Sequence, residues 1–240
     1  MKNFLLVKIR LSTYFWLLGI VFLLLSLLLP NYTYESGTLT LFSVNSFLYG
    51  FYISPILSSQ KSRIEELHKI IRSEANALFS LVLHLKKLPE KPRNELQAMV
   101  SKYIHAKLRA TKTNGEKEYE ELITYCVEYK GEAKDQIDKV LEELVDNQQN
   151  RTNFSMQLAN RVYANEWQIM FILFAITLGF ILTIDISTAP IFIIIQALLC
   201  TGLTMLIIIL VKLNTLTHKK AKQMWLPLRK LVETNFYRID

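Results

Sequence analysis

None of the 28 Lys and Arg residues falls between Ser12 and Gln60 or between Glu166 and Val211. Three bases precede the first of these blocks, eighteen lie between them and seven follow the second. Each block is long enough for a pair of helices, because a bilayer core of roughly 30 Å takes about 20 mostly apolar residues per crossing. Backbone groups in hydrocarbon have only each other to bond, so segments of this length cross as helices. The expected spans are residues 11–30, 38–57, 167–186 and 190–211. The second is the least apolar, carrying several hydroxyls and one amide. Positive charge beside spans stays on the cytoplasmic side. The N-terminus, the middle of the chain and the C-terminus are therefore expected there, in the plasma (inner) membrane of the cell, with two tight outer connections carrying Glu35 and Asp185.

The expected architecture is all-α. It has an N-terminal stub and hairpin over 1–57, a cytoplasmic helical region over 58–166, a second hairpin over 167–211 and a basic tail over 212–240. The first apolar run is long for a signal peptide and is followed at once by a second, so it reads as a retained span. The surplus of positive charge flanks the spans, where it anchors against anionic headgroups. The middle region is nearly neutral, with eighteen bases against seventeen acids. No basic patch interleaved with aromatics appears, so nucleic acid is not an expected partner. The expected partners are the bilayer, further copies of the chain and a candidate cytoplasmic protein. The two cysteines, Cys126 and Cys200, are not expected to pair.

Residues 58–166 read as helical almost throughout. Ile64, Ile71, Leu78 and Leu85 are spaced by sevens, with Leu67 and Leu81 three residues further on, which is a heptad seam. Pro89 and Pro92 separate this helix, expected over 58–88, from a second over 93–110. Asn114-Gly115 closes the second helix. A third is expected over 116–129 and a fourth from about residue 132. The polar run 146–153 fits either a loop or a solvated helix. A last helix, with Phe154, Leu158 and Val162 on one face, is expected to run into the third span.

The segment Ser62–Leu88, SRIEELHKIIRSEANALFSLVLHLKKL, is followed by Pro89 and then by a helix containing Tyr103. With the preceding span, Arg72, Glu74, Ala75, Leu78, Leu88, Pro89 and Tyr103 form a pattern that resembles the bestrophin-like domain family of membrane proteins. The resemblance implies two spans, a helical insert and two more spans, and a relation to oligomeric anion channels.

Candidate sites come from polar residues in apolar surroundings. Glu74 follows Ile71 by three, a d-type position. A carboxylate buried there needs a counter-charge, with Arg72, Arg93, Lys102 and His105 as candidates. Charges are rarely fully buried, so the expectation is that Glu74 sits at the seam edge and reaches water. In the second span Ser43, Ser46, Phe47, Gly50 and Ser54 share a face. Such a face lines a pore in an oligomer, or it packs helices, since small residues allow close approach. Gln196, Cys200 and Thr204 share a face of the fourth span, and Thr177 and Thr183 lie in the third. Gln196 is the costliest to leave facing lipid and is expected to point inward. Pro55 is expected to bend the chain at the membrane exit. Acids at an outer mouth favour cations over anions, which makes Glu35 and Asp185 the selectivity candidates. The four His residues lack metal-ligand spacing, and no phosphate loop, nucleophile elbow or kinase signature occurs. No cofactor, metal or enzymatic activity is expected. The reading is an oligomeric channel or pore of undetermined ion, with a non-conducting scaffold or signalling adaptor as the alternative.

Overall fold

The computed structural model describes residues 9–109, 115–185 and 190–234. Among the described residues nine helices run in chain order: α1 Leu11–Leu28, α2 Ser36–Leu85, α3 Glu90–Leu108, α4 Glu116–Glu128, α5 Lys134–Ala159, α6 Ala164–Thr183, α7 Pro190–Asn214, α8 Lys219–Gln223 and α9 Leu226–Glu233. Four stretches among the described residues, in α1, the first part of α2, α6 and α7, are long and apolar enough to cross a membrane. The connection expected between the last two spans falls mostly on residues 186–189, outside the described residues, as do Lys2, Lys8 and the end of the tail.

The helix boundaries follow from local chemistry. Leu29 leaves α1 in an extended conformation, the one favoured immediately before a proline such as Pro30. α2 runs without interruption through Pro55 to Leu85, so the second span and the seam are one helix. Pro55 has no N–H, so the Phe51 carbonyl lacks its usual partner four residues on. α3 begins three residues earlier than expected, with Pro89 capping it and Pro92 inside its first turn, where a missing N–H costs nothing. Gly115 caps α4 at φ 76°. A Cβ there would stand 3.0 Å from the Tyr103 ring, so the position requires glycine on both conformational and steric grounds.

Of the two readings open for the polar run the helix is the one adopted, and one expected boundary differs. The polar run 146–153 is helical inside α5. The expected helix running from Phe154 into the third span is broken, since α5 stops at Ala159 and α6 starts at Ala164. Side chains hold the break open: Glu166 Oε2 accepts the Tyr163 N–H at 2.9 Å and Asn214 Oδ1 accepts that of Val162 at 3.1 Å. These are backbone donors that a continuing helix would otherwise have claimed.

The chain forms two compact units. The first, residues 1–64 and 161–221, holds the four apolar stretches. Phe22, Leu182, Ala197 and Cys200 make one cluster, and Tyr49, Ile53, Val162, Met170, Ile207 and Leu210 another. Polar ties supplement the apolar contacts. Asn45 Nδ2 donates to Leu173 O at 3.1 Å and to Thr177 Oγ1 at 2.8 Å, and Gln196 Nε2 donates to Ile181 O at 2.5 Å. At one end, Tyr32 N donates to Thr183 O and Asp185 N to Tyr32 O, while the Tyr34 and Thr183 hydroxyls meet at 2.7 Å. Near the other, Lys212 donates to Ile9 O at 2.7 Å with its ammonium 5.0 Å from the Tyr14 ring.

The second unit, residues 65–160 and 222–240, is built on the seam half of α2 with α3, α4, α5 and α9. The seam residues Leu67, Ile71, Leu78, Leu81 and Leu85 are buried, each contributing about 1.5–3 kcal/mol of transfer free energy. Leu96, Val100 and Ile104 of α3, Leu122 of α4 and Ile137, Val140 and Leu144 of α5 complete the core.

Candidate functional site

The polar face expected in the second span lies in the first unit, on the first part of α2. Ser43, Gly50 and Ser54 are exposed and Ser46 is half-buried. Phe47 is 69% exposed and stacks on Phe51, which is 71% exposed, at 6.0 Å between centroids. A side chain added at Gly50 would meet nothing within 4 Å. The other side of the helix turns inward: Tyr49 and Ile53 are buried, and Asn45 makes the ties to α6 described above. Among the described residues, then, Ser43, Gly50 and Ser54 of this face are left uncovered, while Ser46 at its edge is partly covered. The Ser46 hydroxyl is buried without a hydrogen bond among the described residues.

The polar residues singled out in the last two apolar helices are hydrogen-bonded inside the unit. Gln196 is buried and bonded across to α6. Thr204 donates back to Cys200 O at 2.8 Å, and Thr177 and Thr183 make the same local bond to Leu173 O and Gly179 O. Glu35 and Asp185 are exposed. The backbone bonds joining Tyr32 to Thr183 and Asp185 bring their two connections to one end of the unit. Glu35 also precedes the first turn of α2, a favourable place for a carboxylate.

The second site is the buried charge of the helical unit. Glu74 does not reach water at the seam edge; it is fully buried. The reason is that two donors come to it. Tyr103 and Lys107 stand four residues apart on α3 and so share a face. The Tyr103 hydroxyl donates to one carboxylate oxygen and the Lys107 ammonium to the other. Lys107 Nζ lies 3.3 Å from the Tyr103 hydroxyl, 5.1 Å from the Phe154 ring centroid and 5.7 Å from that of Tyr103. Neither donor was among the candidate partners read from sequence. Arg72 is exposed, and Lys102 is taken by Glu121 at 2.6 Å.

Burial lowers the Lys107 pKa, Glu74 pulls it back up and Arg151 pushes it down again, leaving it below the ordinary lysine value. Burial first, then the Glu74 charge, raises Tyr103 well above the ordinary phenol. A second layer surrounds this group. Tyr119 lies 5.0 Å from Tyr103 ring to ring, donates to Leu144 O at 2.6 Å and accepts from Asn147 Nδ2 at 3.2 Å. Its own pKa is pushed up to about 12, chiefly by burial. The Arg151 guanidinium covers the Tyr119 ring at 3.9 Å, close enough for a cation–π contact. Arg151 also borders an open cleft of about 390 Å³ between α4 and α5.

Lys107, Asn147 and Arg151 were all missed by the sequence reading. The signal available for Lys107 was its spacing of four from Tyr103. Among the described residues, no group of three or more His, Cys, Asp or Glu is placed to hold a metal.

The model of the bestrophin-like domain matches residues 33–218, from the connection before α2 to just beyond α7. No curated protein and no solved structure matches the chain. The family match covers both candidate sites and most of the sequence, and the chain belongs to the bestrophin-like domain family.

Proposed function

We propose that the chain is one subunit of an oligomeric membrane channel, with the exposed polar face of α2 lining the pore. The observation that carries this reading is the two-sidedness of α2. Tyr49 and Ile53 are buried against the chain's own helices, while Ser43, Gly50 and Ser54 are exposed. Hydroxyls and a glycine facing lipid gain nothing, whereas facing water in an oligomeric pore they meet hydrogen-bonding solvent. Membership of a channel-type family agrees with this. On this reading the termini and the helical unit are cytoplasmic by the distribution of bases, and the protein sits in the plasma (inner) membrane.

Ion flux into proteoliposomes tests the proposal. Gly50→Leu fills space that is empty within one chain, so it leaves the subunit intact and narrows the pore, and flux falls. Phe47→Ala widens the same face, and flux rises. Flux unaltered by both variants, in an assembly of unaltered size, refutes the pore lining.

A further inference from the structure

The helical unit carries two exposed faces of opposite charge. Arg72, Phe79 and Leu83 of α2, with Lys86 one residue past its end, fall on one side of the helix, turned away from the seam. Arg72 and Lys86 are exposed, and Phe79 and Leu83 are each 44% exposed. On α5, Asp138, Glu142 and Asp146 recur every four residues and line a shallow groove with Leu141 and Val145, of which Val145 is 57% exposed. Three carboxylates at this spacing repel one another. Lys134 bonds Asp138 at 2.9 Å.

We propose that these faces are the two halves of a contact between copies of this chain, the α2 strip of one helical unit seating on the α5 groove of the next. This rests on the oligomeric reading above and assigns residues to it. The charges are complementary, and each face has an apolar centre. At 1.5 Å per residue, Arg72 and the end of α2 at Leu85, next to Lys86, stand about 20 Å apart, enough to straddle the roughly 12 Å from Asp138 to Asp146. One chain cannot close its own strip onto its own groove. Ser80 and His84 meet Glu143 of α5 on a different side of α2, so the strip points away. A contact between two different patches is head-to-tail, and when its rotation closes it builds a ring. Leu83 and Val145 supply the anchor, while the charges set register and suppress wrong pairings.

The test uses the full chain in lipid nanodiscs, with particle mass measured alongside mild oxidation. The native cysteines are buried and the wild type is the control. Leu83→Cys and Val145→Cys in one chain cross-link into a ladder of covalent oligomers, and the two single variants cross-link only when mixed. A single variant that cross-links with itself indicates a symmetric contact and overturns the proposal. Glu142→Lys with Asp146→Lys weakens subunit association about tenfold, and adding Arg72→Glu with Lys86→Glu restores it. An intact ring with no cross-link and no response to charge reversal overturns this contact while leaving the channel reading standing. A monomeric particle overturns both.

Discussion

Replacing Lys107 by Met removes the counter-charge from Glu74 and leaves a carboxylate with no access to water. Breaking a buried pair from one side costs about 3–5 kcal/mol, since the remaining ion keeps its desolvation penalty. Tyr103 still donates to the carboxylate, and a hydrogen bond to a charged group is worth about 1.5–3 kcal/mol, so the expected cost is at the lower end, about 3 kcal/mol. The built-in probe is Cys126, fully buried in α4 of the same unit, whose thiol burial pushes up to about 12. It reacts only when the unit opens. With Cys200→Ser as background, Cys126 is the sole thiol, and its alkylation rate tracks the open population when reclosing is fast. At one factor of ten per 1.4 kcal/mol, Lys107→Met speeds labelling about 150-fold. Glu74→Leu combined with Lys107→Met removes both charges, and a well-packed apolar replacement of a buried pair is neutral or better; labelling then returns to within about tenfold of the parent. An unchanged rate in the single variant, or a double variant as fast as the single, refutes the account of the pair.

Two further outcomes follow from the same region. Glu74→Gln removes the charge that raises the Lys107 pKa against burial and Arg151, so that pKa falls further. A lysine depressed in the folded state binds its proton more tightly when unfolded, so stability rises with pH from the folded value up to the ordinary value of about 10.4. The Cys126 opening equilibrium, corrected for thiolate fraction, therefore rises in Glu74→Gln more steeply than in the parent as pH falls through that window; parallel pH profiles contradict the assignment. Gly115→Ala forces a Cβ onto a left-handed residue against the Tyr103 ring, costing about 1–2 kcal/mol. The same labelling assay should read about a five- to thirtyfold acceleration, and no change would show that the turn does not hold Tyr103 in place.

The seam was legible because one helix supplies all of its own evidence. Ile64, Ile71, Leu78 and Leu85 are spaced by sevens and are all buried, and Gly115 announced a break that its left-handed backbone makes. Glu74 shows where such evidence stops. Heptad position assigns a residue to a face, but whether a carboxylate survives there depends on Lys107, 33 residues away on another helix. Lys107 carries no local signal of its own, because a lysine on a helix is ordinarily solvated. The break before α6 failed for a related reason. One of the side chains capturing its backbone donors, Asn214, is 52 residues from Val162. Local propensity sees the helix formers on both sides of residues 160–163 and nothing of that bond.

The polar face of α2 raises the question of how a pore lined by it would choose an ion. Ser43, Ser46, Gly50 and Ser54 carry no formal charge, and Phe47 and Phe51 present the largest side chains on this side of the helix. A neutral, partly aromatic lining constricts, and it discriminates by size and hydration more than by sign. Sign then falls to charges at the mouths, and Glu35 and Asp185 are exposed together at one end of the first unit. Their reach is short, because a charge in physiological salt is screened over about 8 Å. They bias permeation toward cations only if the assembly sets them at the rim of the pore. Glu35→Gln with Asp185→Asn in the flux assay separates the two cases: a cation-to-anion ratio that falls places the acids at the rim, and an unchanged ratio puts them beyond the screening length and returns selectivity to the neutral face.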